Sequence, residues 1–525
     1  MEKRTFLAIV LSLTILVVWQ WLFRTKSQQF DGSVPTAIAS RETTLQLSPS
    51  RRAGQPATAS ITANQSLAEK NGEFAKTFQI ETDKVVYTLS ENEASIVNCF
   101  LKEERLTEKT TVELVLSGKL LNDKDTGNWS NISPKNQPYQ SRFVRSAGDF
   151  SIEKTFYFSN NSYLVDIKYT VSNKTKFPKS FDGLTLSIGP GLGTDAKELK
   201  ENIKLLRAIS YSQKKVEKLK PGDANTFPLK WAGIDNRYFL SIFLRANDDF
   251  KKIKVEMVEK MPLMEISTGK VDFLPSEKKL FSVISYTGPK GFAHLKGIKI
   301  DSINPQLEKA VDFGFFGDLG EFALSSLNYI YKFTHNYGWA IFIISVILNI
   351  ISYPLSKKSF TSAQKMKLIQ GDIKALQIKY KSDHKKMNAE TWALYKAKGV
   401  NPFSGCLPML VQLPIFWALF TMLRNAYELR GAPFMFWITD LSAKDPYYIL
   451  PILMGGGMFL QQWMSTNTSD PTQKQMMIMM PIIFTVMFLG FPSGLVIYWL
   501  TNSIVTILEQ WLIFSKGSIQ TKKKL

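Results

Sequence analysis

The chain has 525 residues, enough for more than one domain, and a mean hydropathy near neutral that conceals two unlike halves. Its formal net charge is +20, but long apolar runs turn that balance towards anionic lipid head groups or a cytoplasmic nucleoprotein partner, not direct sequence-specific nucleic-acid binding. Cys99 and Cys406 fall in different halves, and His294, His335 and His384 lie far apart in sequence. No metal, redox or histidine-triad spacing is present, and no cofactor is expected.

The first apolar run, Phe6 to Phe23, is preceded by Glu2, Lys3 and Arg4 and followed by Arg24 and Lys26. A cleavable signal peptide would have a shorter apolar core and small residues at its end, so residues 1–23 are read as a retained membrane anchor. Residues 24–73 are rich in Ser, Thr, Ala, Gln and Pro, the composition of a flexible linker.

From Phe74 the pattern changes. Tyr163, Val165, Ile167, Tyr169 and Val171 alternate with Leu164, Asp166, Lys168 and Thr170, the period of a strand with one buried face. Phe78-Gln79-Ile80 and Val85 to Leu89 predict further strands, and Ser159-Asn160-Asn161-Ser162 is a turn cluster. An antiparallel β-sandwich over residues 74–315 is the expected solution. Gly189-Pro190-Gly191-Leu192-Gly193 lacks the Gly-Lys-Ser/Thr ending of a phosphate loop and reads as a turn.

Residues 316–337 predict an amphipathic helix at a membrane interface, with Leu319, Phe322, Leu327, Ile330 and Phe333 as its apolar face; packing against a helical bundle explains the pattern equally well. Five further apolar runs follow, at Gly338–Leu355, Cys406–Leu423, Tyr447–Trp463, Met476–Phe491 and Gly494–Phe514. Each approaches the ~20 residues that cross a bilayer. Six spans in all are expected, the last five forming a core over residues 338–514.

Residues 356–400 hold eleven lysines against three acids and should be cytoplasmic. The basic tail, 515–525, should be cytoplasmic too. Both termini then lie inside and the β domain outside. Arg424, Arg430 and Lys444 on an outer loop oppose this scheme but are outweighed. Within 356–400, Met366, Ile369, Ile373, Leu376 and Tyr380 recur at steps of three and four. A turn at Lys381 to Lys385 and a returning helix would complete a basic hairpin, either a solvated topogenic face or a docking surface for lipid, ribosome or incoming chain.

Several polar residues interrupt the apolar runs. Ser345, Asn349 and Ser352 share one helix face. Tyr498, Asn502 and Glu509 fall near one stripe of the last span; Gln412 lies between Pro408 and Pro414, and Gln461 and Gln462 end another run. Such residues should turn away from lipid, either as interhelical hydrogen-bond glue or as the lining of a wet cavity.

The stretches NPFSGCLPMLVQLPIFWALF from Asn401, LSAKDPYYILPILMG from Leu441 and FPSGLVIYW from Phe491, with Tyr353-Pro354-Leu355, closely resemble the YidC-type membrane protein insertases. The resemblance covers about residues 310–514, and the anchor and outer domain resemble the Gram-negative form. It implies a bacterial inner-membrane protein with a five-helix core and a periplasmic β-supersandwich similar to sugar-binding mutarotase folds. It also implies a hydrophilic groove, open to cytoplasm and lipid, that newly made membrane proteins enter alone or alongside the Sec translocon, without enzymatic chemistry. Carried onto this chain, the groove positions are Ser345, Asn349, Tyr498 and Trp499; Ser352, Gln412 and Asn502 join them as polar residues of the same core, with Lys357, Lys358, Lys365 and Lys367 at the cytoplasmic mouth and hairpin. Many members carry an arginine where this chain has Asn349. A transporter or channel, or a membrane-anchored carbohydrate enzyme, are the alternatives from other classes.

Overall fold

The computed structural model describes residues 76–522 except 103–111, 117, 125–126, 196–197, 213–214, 225–229, 247–249, 251, 382, 401–406 and 466–470. The expected anchor, linker, terminal lysines and Asn401 motif start lie outside the described residues. Two compact units divide at Gly288/Pro289.

The first unit is a sandwich of antiparallel sheets. Its nine-stranded layer runs from Lys215–Lys218 at one edge to Ser130–Asn131 at the other, with Lys278–Pro289 at its centre beside Leu164–Asn173. Strand Leu164–Asn173 buries Val165, Ile167, Tyr169 and Val171 and leaves the intervening residues half-exposed, as the period of two predicts. Four- and five-stranded sheets supply facing surfaces: Tyr87 meets Phe158 at 4.6 Å between ring centres, and the Tyr169 hydroxyl donates to Asp123 at 2.7 Å. The glycine segment 189–193 follows strand Thr185–Ile188. A Cβ at Gly193 would collide with the Glu113 carbonyl oxygen, so backbone already fills that space.

One inward position of strand Phe150–Phe158 is a lysine. Lys154 is fully buried among Ile152, Phe156 and Phe158. Its Nζ donates to the carbonyls of Ala94 and Leu121 and to Asp123 Oδ2, each at 2.8 Å. Burial pushes its pKa down, against the opposing pull of Asp123.

The second unit is helical. Residues 289–316 dock onto its helices: the Phe292 amide donates to Glu428 at 2.7 Å and Thr421 Oγ1 to the Phe313 carbonyl at 2.7 Å. Eight helices follow Phe316 among the described residues: α1 (Gly317–Thr334), α2 (Tyr337–Leu368), α3 (Gln370–Lys379), α4 (His384–Ala397), α5 (Leu407–Asn425), α6 (Ile449–Ser465), α7 (Pro471–Phe488) and α8 (Ser493–Lys522).

Two segments, Tyr337–Met366 and Ser493–Phe514, are long and apolar enough to cross a membrane; Ile478–Phe488 is a shorter apolar stretch. Large apolar side chains on the bundle point outward, among them Ile350, Ile351, Ile452, Trp463, Val486 and Trp511. Water would disfavour that surface and hydrocarbon would not. Helix α1 carries two apolar stripes rather than one. Ala323, Leu324 and Leu327 are buried, on a helix that packs against α2 and α5, while Phe322, Tyr329 and Phe333 stand exposed. Of the predicted apolar face, Leu327 therefore turns inward and Leu319, Phe322 and Phe333 outward.

Helices α3 and α4 pair as a hairpin with Ile373, Leu376, Tyr380, Met387, Thr391 and Leu394 half-buried. Asp383 accepts from the Lys385 and Lys386 amides at 3.1 Å each and so caps α4.

Candidate functional site

Helices α2, α6 and α8 begin at the same end of the bundle, held there by the α5–α6 connection. Asn336 Nδ2 donates to the Phe434 carbonyl at 3.0 Å, while its Oδ1 accepts from the Gly338 and Trp339 amides at the start of α2. Asp445 is buried and accepts from Trp437 Nε1 at 3.0 Å and from the Tyr447 and Leu450 amides at 3.0 and 2.7 Å, capping α6. The Ser493 amide and hydroxyl both donate to the Ala443 carbonyl, and the Gly494 amide to that of Leu441, at the start of α8. The LSAKDP and FPSG stretches of the sequence thus meet as a clasp.

This end fixes the register of the helices. A Cβ on Gly494 would lie 3.2 Å from Ile341 Cδ1, so α2 and α8 run side by side from matched starting levels. With 1.5 Å of rise per residue, Ser345 and Tyr498 share one depth, and Asn349 and Asn502 the next turn. Ser345 is fully buried and its hydroxyl donates to the Ile341 carbonyl at 2.6 Å; Asn349 Nδ2 donates to the Ser345 carbonyl at 2.8 Å. These groups satisfy donors within their own helix, which lets polar residues sit in an apolar bundle at low cost. Ser352 is half-buried, and Ser359 continues the same face at 4% exposure.

Tyr498 is buried, with Gln412 of α5 hydrogen-bonding its hydroxyl. Trp499 turns elsewhere. Its ring lies 5.1 Å from Phe416, 5.5 Å from Phe488 and 5.9 Å from Phe484, an aromatic cluster shared by α5, α7 and α8. Asn502 is half-buried and its carbonyl accepts from Thr506. Lys357, Lys358 and Lys365 are exposed along α2; the Lys367 side chain lies outside the described residues.

The residues expected to act together fall into two groups. Ser345, Asn349, Gln412, Tyr498 and Asn502 occupy the α2–α5–α8 side, whereas Trp499 belongs with the phenylalanines. The sequence reading missed the close contacts of α6. A Cβ on Gly455 would collide with Thr485 Oγ1 of α7, and one on Gly457 would meet Ser503 of α8 at 3.4 Å. The Gly455-Gly456-Gly457 run is the sequence signal for such close helix packing. In the β unit, an open cleft of about 410 Å³ is lined by Lys76, Glu91, Asn92, Trp129, Ser130 and Ser133.

A layered antiparallel β unit followed by a helical unit with an apolar exterior defines a membrane protein with a large extramembrane domain. Residues 77–322 match the family model described as the YidC periplasmic domain, and residues 329–521 that described as 60Kd inner membrane protein. A protein of Endomicrobium trichonymphae named membrane protein insertase YidC is 47% identical over 378 residues, covering 70% of this chain and 72% of its own. One of the same name from Geotalea uraniireducens is 32% identical over 542 residues, covering 98% of this chain and 99% of its own. The chain belongs to the YidC family of membrane protein insertases.

Proposed function

We propose that this protein is an insertase and chaperone that helps newly synthesised proteins enter and fold in the bacterial inner membrane, working alone or beside the Sec translocon. The observation that carries the proposal is the end-to-end likeness, over 98% of this chain, to a relative named as an insertase. Six spans would put both termini in the cytoplasm and the β domain, a supersandwich, in the periplasm. Nascent membrane proteins are the substrates, with lipids and the ribosome as further contacts of the lysine-rich hairpin.

The working part is a hydrophilic groove walled by α2, α5 and α8. Ser345, Asn349, Ser352, Gln412, Tyr498 and Asn502 would line it, Trp499 would stand at its aromatic edge, and Lys357 and Lys358 would stand at its cytoplasmic mouth, with Lys365 and Lys367 beyond. The polar stripe on α2 and the Gln412–Tyr498 contact support this assignment. In hydrocarbon each unsatisfied backbone polar group costs several kcal/mol, so even ~10 exposed residues face a prohibitive barrier. A wet groove reaching part way across shortens that path. Apolar substrate segments then leave sideways into lipid, driven by roughly 25 cal/mol for each Å² removed from water. This cycle needs no covalent step and no cofactor, so we infer a non-enzymatic role.

Among the described residues, the β-unit cleft offers the single carboxylate of Glu91, where a retaining or inverting glycosidase would present two. Photocrosslinking from positions 349 and 412 to a stalled nascent chain tests the groove, and adducts to lipid alone would refute it. Depletion in cells carrying a reporter membrane protein tests the function: failed insertion supports it, whereas normal insertion with altered solute flux would point to a transporter. Asn349→Arg should be tolerated, while neutralising Lys357 and Lys358 together should slow insertion of acidic substrates.

A further inference from the structure

Glu509 is the one acidic residue in the apolar segments Tyr337–Met366, Leu407–Asn425, Ile449–Ser465, Pro471–Phe488 and Ser493–Phe514. It is only 8% exposed, and among the described residues no hydrogen bond or ion pair engages its carboxylate. Neither carboxylate oxygen is fully enclosed, so the stem is covered while the head still reaches an opening. Its place is set by the register at the clasp. It lies 15 residues beyond Gly494, level with Ser356 of α2 and within about 8 Å of Phe514 along the axis. Tyr498, Asn502 and Glu509 follow the i, i+4, i+11 spacing of one helix face.

No neighbour among the described residues neutralises it. Lys357 and Lys358 lie at the same level of α2 but are exposed, and no ion pair joins either to Glu509. On α6, the contact of Gly457 with Ser503 brings Gln461 and Gln462 to the depth of Glu509. Gln462 keeps a buried side-chain oxygen with no partner among the described residues. A covered carboxylate with no cation paired to it among the described residues, at the lysine-rich end of a membrane bundle, is complementary to one kind of guest: a cationic side chain held at the edge of the hydrocarbon. Segments entering a membrane carry lysine and arginine on the flank that stays in the cytoplasm.

We propose that Glu509 is a specificity-determining residue that binds the basic cytoplasmic flank of an incoming segment and so favours the orientation that keeps that flank inside. The proposal rests on the insertase reading above. The carboxylate attracts the flanking lysine or arginine while the apolar stretch beside it moves into lipid, and it releases the flank when the completed helix leaves.

The test uses the full chain in proteoliposomes with three single-span reporters, synthesised in vitro, that differ only in a Lys-Lys, Gln-Gln or Glu-Glu flank. The readout is the ratio of correctly oriented insertion for the Lys-Lys and Gln-Gln reporters. In the unaltered protein this ratio exceeds one. Glu509→Gln lowers it about tenfold, equivalent to about 1.4 kcal/mol. Glu509→Asp keeps most of it, and Glu509→Lys favours the Glu-Glu reporter instead. A ratio that Glu509→Gln leaves unchanged overturns the proposal, as does equal loss on all three reporters, which marks a purely structural residue. If the unaltered protein inserts none of the reporters above protein-free vesicles, the insertase reading itself fails; if it inserts all three without regard to flank charge, only the role of Glu509 does.

Discussion

Replacing Lys154 with methionine keeps a long unbranched side chain but removes its buried ammonium. Three acceptors lose their donor in a closed interior: the carbonyls of Ala94 and Leu121 and one oxygen of Asp123. Removing one member of a buried ion pair typically costs 3–5 kcal/mol, because the remaining charge stays desolvated. The ammonium also lies 4.7 Å from the Phe156 ring centre and 5.5 Å from that of Tyr169, contacts a thioether replaces only in part. Lys154→Met should therefore destabilise the β unit by about 4 kcal/mol, close to a thousandfold in the opening equilibrium. Hydrogen exchange of the amides in strand Leu164–Asn173, measured on the full chain in detergent, reads that factor directly. Lys154→Met/Asp123→Leu should recover about half of the loss, since the orphaned charge is gone but the Tyr169 hydroxyl then lacks its acceptor. A change under tenfold in the single variant would refute the assignment of Lys154 as the electrostatic tie between the layers.

Cys99 is buried, and burial pushes its thiol pKa well above the ordinary value. The unfolded chain then loses this proton above about pH 8.5 while the folded chain keeps it, so stability falls by about 1.4 kcal/mol per pH unit in that range. Cys99→Ala should flatten the alkaline limb of a pH-stability profile; equal slopes in the two proteins would contradict it. Gly455→Ala should cost about 1–3 kcal/mol by driving α6 from α7, whereas Gly456→Ala, whose Cβ would meet open space, should leave the melting temperature in detergent unchanged. Asp445→Ala removes an acceptor shared by three N–H groups and should cost about 2 kcal/mol, visible as faster proteolysis between α5 and α6.

Much of this architecture was readable from local periods. The strand at Leu164–Asn173 obeys its alternation throughout, and the α2 polar stripe follows from helical spacing alone. Lys154 shows where the pattern stops being enough. Its parity with Ile152, Phe156 and Phe158 points it inward, yet its counter-ion Asp123 belongs to a two-residue strand too short to carry any period. Trp499 follows Tyr498 in sequence, but adjacent residues on a helix diverge by about 100°, and its phenylalanine neighbours come from α5 and α7, which no local period announces. Residues 289–316 hold no long periodic element, and single contacts such as Phe292 to Glu428 decide what they pack against.

The clasp of Asn336, Asp445, Ser493 and Gly494 binds three helix starts to one loop, like the spine of a book. A sheaf gathered at one margin pivots there, so thermal motion spreads the free margin more than the bound one.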